Sequence, residues 1–325
     1  MYNTDYRPLL TFTASFTKWL LPVASPTLSL MAAPILLTGA TGNVGSELTK
    51  ALVARGVSFR ALVRNPNAAK ARALAALPGA EIVQGDFDQP ATLAAALAGV
   101  ERAFLLTNST TQAEAQQLRF VALARQAGVR HLVKQSQWAA TPDSPVRFLR
   151  YHAAVEEAIR NTGLAYTFLR PNLFMQGLLL FKDSIAQQNK FFAPIGDAPI
   201  SLVDVRDIAA AGAAALTEAG HENQVYNLTG PAALTHGQLA ATLSTALGKP
   251  ISFVDVPPVA LREQLLQTGL DPWQAEGLVE DYAHYHRGEA AAVADGVQQA
   301  TGHAPRDFAT FARDYAPAFA PVRDR

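Results

Sequence analysis

Ile35-Leu36-Leu37-Thr38-Gly39-Ala40-Thr41-Gly42-Asn43-Val44-Gly45 joins an apolar run to three glycines spaced G-x-x-G-x-x-G. The run reads as a buried parallel strand ending at Thr38. The glycines open a helix that carries Leu48, Leu52 and Val53. A tight turn from strand to helix needs a residue without a Cβ. A second glycine lets a diphosphate approach the backbone, and a third lets the helix lie close to the strand. The free N–H groups of the first helical turn and the helix dipole both favour an anion at that end. An amphipathic helix and a second strand, Ser58 to Val63, follow, which is the context a dinucleotide fingerprint requires. Gly39, Thr41, Gly42, Asn43, Val44 and Gly45 are therefore the candidate diphosphate residues.

The second strand runs out through Ala61-Leu62-Val63-Arg64-Asn65-Pro66. An acid at that end would bond the ribose 2′-hydroxyl of NAD and repel a 2′-phosphate. Arg64 instead offers the phosphate a charge-assisted partner. This favours NADP(H) over NAD(H). The plainer alternative is a solvated arginine at a strand end.

Working outward, strands and helices alternate from Ile35 to Arg170. Strands are expected at Glu81–Asp88, Arg102–Thr107, His131–Ser136 and Ala165–Arg170. Helices are expected at Asn67–Leu77, Gln89–Ala98, Thr111–Ala127 and Arg150–Thr162. Repeated βα units of this length mean a parallel sheet covered on both faces. The expected fold is α/β: a Rossmann-like, doubly wound parallel sheet over residues 32–175. A small C-terminal α/β lobe follows over residues 176–325, interwoven with the sheet and capping its C-terminal edge. There Phe191–Ile200 reads as a loop or hairpin, and Val225–Leu228 and Ile251–Val256 as short strands. Pro257–Arg287 reads as helix broken at Gly269 and Pro272. Residues 1–31 lack the βα pattern, and Met31 stands just before the first strand, so they read as a non-core extension. A secretory signal is the alternative, but the apolar stretch Trp19–Ala24 is short and contains Pro22.

The bulk properties narrow the partners. The 325 residues are 49% hydrophobic, enough for a large core. Lys+Arg and Asp+Glu are both 27, so no basic excess exists to track a nucleic-acid backbone. Cysteine is absent, which excludes disulfides, thiol nucleophiles and zinc–thiolate sites, and no metal site is expected. No apolar run reaches the length of a membrane span. A cytoplasmic protein acting on a small molecule is expected.

The opening Thr38–Gly45, the stretch Ala61–Pro66 and Gly85-Asp86-Phe87 resemble the NmrA-like branch of the atypical short-chain dehydrogenases. So do Val133-Lys134-Gln135-Ser136, His152 through Arg160, Tyr166–Asn172 and the late Thr301–Phe308. The resemblance implies bound NAD(P)(H). It also implies one of two roles: reduction of quinones, azo dyes or triphenylmethane dyes, or cofactor-sensing regulation through a protein partner without catalysis. It implies that Asp86 and Phe87 flank adenine, although a helix N-cap and a core aromatic are equal alternatives. It implies too that Leu106 and Thr107 end the strand past which the nicotinamide-side ribose runs.

The usual short-chain dehydrogenase proton donor is a Tyr-x-x-x-Lys pair. Here Phe148 and His152 stand at those two places. Tyr151 is one helical step away, turned by about 100°. His152 is the candidate for bonding the ribose or giving a proton, and Ser136 for donating to a substrate oxygen. Without a tyrosine acid, the expected substrate is a quinone-like or otherwise conjugated acceptor in a flat apolar slot. Trp138, Phe174 and Met175 are the candidate slot residues. Tyr282, Tyr285 and His286 read either as its lid or as core.

Overall fold

The computed structural model describes residues 35–320; the extension expected over residues 1–31 lies outside the described residues. The first half runs β1 (Ile35–Leu37), α1 (Asn43–Ala54), β2 (Phe59–Val63), α2 (Ala69–Ala75), β3 (Ala80–Gln84) and α3 (Pro90–Leu97). It continues β4 (Arg102–Leu105), α4 (Ala113–Gln126), β5 (His131–Gln135), α5 (Arg147–Arg160) and β6 (Ala165–Pro171). The second half holds α6 (Lys182–Gln188), β7 (Lys190–Ala193), α7 (Val205–Thr217), β8 (Gln224–Leu228), α8 (His236–Leu247) and β9 (Ser252–Asp255). It ends with α9 (Pro258–Gln267), α10 (Pro272–His286), α11 (Gly296–Thr301) and α12 (Phe308–Asp314).

Seven strands form one sheet in the order β3-β2-β1-β4-β5-β6-β8, and every neighbouring pair is parallel. The strand order reverses between β1 and β4. That is where a crevice opens at the carboxyl ends of the strands. Successive strand residues point to opposite faces. Leu37, Phe104, Val133 and Leu169 pack with Leu48 and Leu52 of α1 and Ile208 and Ala211 of α7. Leu36, Leu105, Leu132 and Phe168 pack with Phe120 of α4 and Val155 and Ile159 of α5. Burial on both faces is why these strands read as continuous apolar runs rather than as alternation.

The second half completes this sheet. Helix α7 lies along α1, and strand β8 extends the edge beside β6. Alanine-rich α7 approaches closely: a Cβ added at Gly212 would sit 3.1 Å from the Phe104 ring. A third core, built on Phe191, Leu239, Leu243, Tyr285, Phe308 and Phe311, belongs to the C-terminal elements. One expectation is corrected there. Phe191–Ile200, read as loop or hairpin, begins within strand β7 (Lys190–Ala193), which pairs in parallel with β9. Its partner arrives only after α7, β8 and α8, so no nearby turn signal marks it.

The glycines of the opening motif divide by cause. Gly39 turns the chain in the left-handed region at φ +66°. A Cβ on Gly45 would lie 2.1 Å from the Gly39 carbonyl oxygen and 2.7 Å from the Ala40 Cα, so the helix can lie there only without one. A Cβ on Gly42 would meet nothing nearer than the Gly39 oxygen at 3.3 Å, and its φ is −85°. Gly45→Ala should therefore destabilise the fold by about 1–3 kcal/mol, because backbone cannot give way as a side-chain end can. Gly42→Ala, which asks the Gly39 carbonyl to give by only a few tenths of an ångström, should lower the melting temperature much less. Thermal unfolding of the two variants checks this, and equal melting temperatures would show that α1 can shift.

Candidate functional site

The floor of the crevice is tied together by one hydroxyl. Thr38 Oγ1 accepts from the Leu106 N–H at 2.8 Å and donates to the Leu106 carbonyl at 2.9 Å or the Phe104 carbonyl at 3.0 Å. Leu106 packs directly over Gly39. Thr41 is partly exposed, and Gly42 and Asn43 are exposed. Val44 and Gly45 are buried, so what they offer a ligand is backbone N–H alone. No side chain caps α1 at Gly42, and the first helical bond is Ser46 N–H to the Gly42 carbonyl at 2.9 Å. The N–H groups of Asn43, Val44 and Gly45 precede that bond and form the open donor end of the helix. Donors at an uncapped helix start, beside an exposed glycine, fit a diphosphate.

Arg64 is exposed, and its guanidinium makes no ion pair among the described residues. Lys70 of α2 reaches towards the same loop, with Nζ 3.5 Å from the Thr41 carbonyl. The sequence does not mark Lys70, because only the path of α2 brings it to the loop. Asp86 accepts from the Asp88 N–H at 3.0 Å, a local turn bond, and the Phe87 ring packs 5.8 Å from Phe120. Thr107 Oγ1 accepts from Gln117 at 2.8 Å.

Helix α5 differs most from expectation. Phe148 is buried, and a Cβ on Gly277 of α10 would lie 2.3 Å from its ring. Arg147 clamps the same contact from α5, bonding Glu280 at 2.7 Å and Glu276 at 3.2 Å. The tyrosine place is thus a packing position against α10. Tyr151 is buried, which raises its phenol pKa, and its hydroxyl lies 2.8 Å from Ser109 Oγ in the loop after β4. His152 is not a surface histidine: it is buried, with Nδ1 2.7 Å from Lys134 Nζ.

Ser136 is corrected as a substrate donor. Its hydroxyl is buried and donates to Glu156 at 2.6 Å. Glu156 also accepts from Arg170 at 2.9 and 2.5 Å and from Arg160 at 3.2 Å. A buried carboxylate held by two arginines and a hydroxyl stays satisfied without solvent. Sequence reading missed Lys134, Glu156 and Arg170 as one cluster because they lie on three elements.

Residues 31–308 match the model of the NmrA-like family. The chain belongs to the NmrA-like family. It is 38% identical over 285 residues to the NAD(P)H azoreductase of Xenophilus azovorans, covering 88% of this chain and 99% of the relative. It is also 38% identical, over 288 residues, to the (4-alkanoyl-5-oxo-2,5-dihydrofuran-3-yl)methyl phosphate reductase of Streptomyces griseus subsp. griseus, covering 88% and 99%. The NADPH complex of the quinone oxidoreductase QOR2 from Escherichia coli superposes with a TM-score of 0.77 at 30% identity, covering 86% of this chain and 99% of that one.

The slot expected from Trp138, Phe174 and Met175 is not assembled in this NmrA-like chain. Trp138 is partly exposed at the β5 end, and its Nε1 donates to the Glu289 carbonyl at 3.4 Å. Met175 is 2% exposed and lines a cavity of about 200 Å³ with Leu202, Leu234, Thr242 and Phe308, inside the C-terminal elements. Phe174 is half-buried, and its backbone bridges to Val203. The 3₁₀ turn Met175–Phe181 starts here and carries the methionine inward. Tyr285 is core and Tyr282 packs against that core, whereas His286 is exposed. No described helix is long and apolar enough to cross a membrane, and no group of metal-ligating side chains occurs among the described residues.

One further group stands at the β5 end. Gln137 follows Ser136, and its amide donates to both oxygens of buried Asp281 at 3.0 and 3.1 Å. Burial lifts the Asp281 carboxyl to about 7. Between its ordinary value of 3.8 and that value, the folded state holds a proton that the unfolded state has lost. Asp281 therefore costs stability progressively as pH rises through this window. Asp281→Asn should remove that cost. Its melting temperature relative to the unaltered protein should rise between pH 4.5 and pH 8. A difference that stays constant across this range would show that Asp281 ionises in the fold as it does in water.

Proposed function

We propose that this chain is an NADPH-dependent reductase of a flat, conjugated acceptor. The wider class rests on the family and on 38% identity over almost the whole chain to two named reductases, and the chain is an NAD(P)H-dependent oxidoreductase. The preference for NADPH is supported by Arg64, exposed and unpaired among the described residues at the end of β2, and by Lys70, whose Nζ reaches the Thr41 carbonyl of the glycine loop. Two cations answer the two charges of a 2′-phosphate, whereas NAD offers a hydroxyl in the same place. Asn43, Val44 and Gly45 would hold the diphosphate through their N–H groups, and Leu106 and Thr107 would pass the ribose. Asp86 and Phe87 remain the proposed adenine neighbours. When bound, the reduced nicotinamide supplies hydride.

The observation that carries the choice of acceptor is Phe148 packed on Gly277. With the tyrosine place closed by a ring in the core, reduction of a simple ketone through that acid has no proton donor. An azo compound, a quinone and an alkanoyl-substituted oxodihydrofuran are what three relatives are named for. Each spreads incoming negative charge within itself, so the protein need not stabilise a localised alkoxide.

NADPH oxidation followed against a panel of quinones, azo dyes and simple ketones tests the reading. Turnover is expected with the first two classes and not the third. Cofactor binding with silence across the panel would favour a non-catalytic sensor instead. Arg64→Ala should lose a charge-assisted bond of about 1.5–3 kcal/mol. It should therefore narrow the ratio of NADPH to NADH affinity by about tenfold or more. Equal affinities in the unaltered protein, measured by fluorescence titration, would overturn the NADPH preference.

A further inference from the structure

Lys134 is fully buried. Strand alternation sends it to the α5 face with Leu132, where a neutral side chain would pack at no electrostatic cost. Its Nζ has two acceptors, His152 Nδ1 at 2.7 Å and the Gln135 carbonyl at 3.2 Å. Both are uncharged when the ring is neutral. The nearest carboxylate, Glu156, is already taken by Ser136, Arg170 and Arg160. A buried ammonium without a bonded counter-ion is held in place by what it donates to. A lysine ammonium can only donate, so Nδ1 of His152 must accept, and the proton of the neutral ring must sit on Nε2. Nε2 makes no hydrogen bond among the described residues. Tyr151 lies beside the ring at 4.2 Å and is itself held by Ser109 from the β4 loop. Tyr151 and Ser109 thus link the pair to the loop after β4, the strand at which the sheet order reverses.

Resting on the reductase reading above, we propose that Lys134 is the positioning residue that holds His152 as an Nε2–H donor and refills it, so that His152 protonates the reduced acceptor. Reduction adds a hydride and a proton. The hydride comes from the reduced nicotinamide. The Nε2–H bond of His152 breaks as the acceptor takes that proton, and an N–H bond of Lys134 breaks as Nδ1 takes its replacement. The ring stays neutral throughout. The charge lost by the ammonium balances the negative charge the hydride brought. Solvent then protonates Nε2, and Nδ1 returns its proton to Lys134.

The charged groups facing the pair are Glu156 on α5 and Arg170 on β6, with the uncharged Tyr151, Ser109 and Ser136 around it. Burial brings the Lys134 ammonium down to about 7, and burial with the nearby lysine and Arg170 holds His152 well below its ordinary value. The charge therefore resides on Lys134, and the donor is fully armed only below about pH 7.

The test uses the full chain, with 1,4-benzoquinone and methyl red as acceptors. Turnover of the unaltered protein should fall as pH rises through about 7. Lys134→Met, of similar length but without a proton, should lower kcat by about a hundredfold. It should lose the fall near pH 7 while binding NADPH within about twofold of the parent. Independently of activity, ¹⁵N NMR of histidine-labelled protein should show His152 with an acceptor Nδ1 and a protonated Nε2. In Lys134→Met that proton should redistribute between the two nitrogens. Lys134→Arg should keep the tautomer, because arginine still donates, but lose the pH-dependent limb. A protonated Nδ1 in the unaltered protein overturns the proposal whether or not any variant folds. So does a pH profile unchanged in Lys134→Met. Absence of turnover with both acceptors overturns the reductase reading and the proton-donor role with it, and the NMR result then bears on the Lys134–His152 hydrogen bond alone.

Discussion

The contact between the Gly45 backbone and the Gly39 carbonyl sets the geometry of the whole nucleotide-binding half. It allows α1 to start directly beneath the turn from β1, so that its uncapped N–H groups face the crevice rather than the core. The same approach sets how deep α1 lies on the sheet, and hence how α7 can lie along it. Alanines and Gly212 on α7 are the complement of that depth, since a larger residue would collide with Phe104. The candidate anion site and the interweaving of the two halves therefore follow from one close approach. That is why α7 and β8, far along the chain, belong to the first sheet.

Around α5 the governing constraint is charge rather than space. Glu156 is inaccessible to solvent yet bonded by two arginines and a serine, which fixes the ends of β5 and β6 against the helix. Such a network is costly to break, because removing one partner strands a charge away from water. Its consequence for chemistry is selective. It occupies Ser136 and leaves Lys134 with no carboxylate of its own. The Phe148–Gly277 contact acts in the same direction from the other end of the helix, since it gives α10 the place an acid would need. The polar chemistry that remains on this face is concentrated at His152.

Much of this was legible in order of sequence locality. The turn from Thr38 to Gly45, Arg64 at the end of β2 and the alternating βα pattern are each set by near neighbours. The strand boundaries fell within a few residues of those read. Legibility failed where partners are distant. Lys134 lies in a strand buried on both faces, so no alternation signals which way it points, and its partner is on the next helix. Asp281 looks like any acid on an amphipathic helix until Gln137 closes over it. Met175 reads as a residue just past a strand end, yet the 3₁₀ turn that begins there carries it into the C-terminal core. Strand β7 lacks a hairpin signal because its partner is β9, with three elements between them.

Two of the buried ionisable groups near the end of β5, Lys134 and Asp281, also say something about where stability was given up. Lys134 is lowered from 10.5 to about 7, so the unfolded chain holds a proton that the fold has released, and stability from this group falls as pH drops through that window. Asp281 is raised from 3.8 to about 7, so stability from it falls as pH rises through the lower window. The two losses run in opposite directions and meet near neutrality, where both are close to their full extent. Aliphatic residues of similar volume at both positions would not incur them. A lysine and an aspartate kept at this cost on adjoining sides of one strand end are hard to explain by packing. Strongly shifted buried groups of this kind concentrate at sites of chemistry, and the proposed proton transfer through Lys134 would draw on one of them.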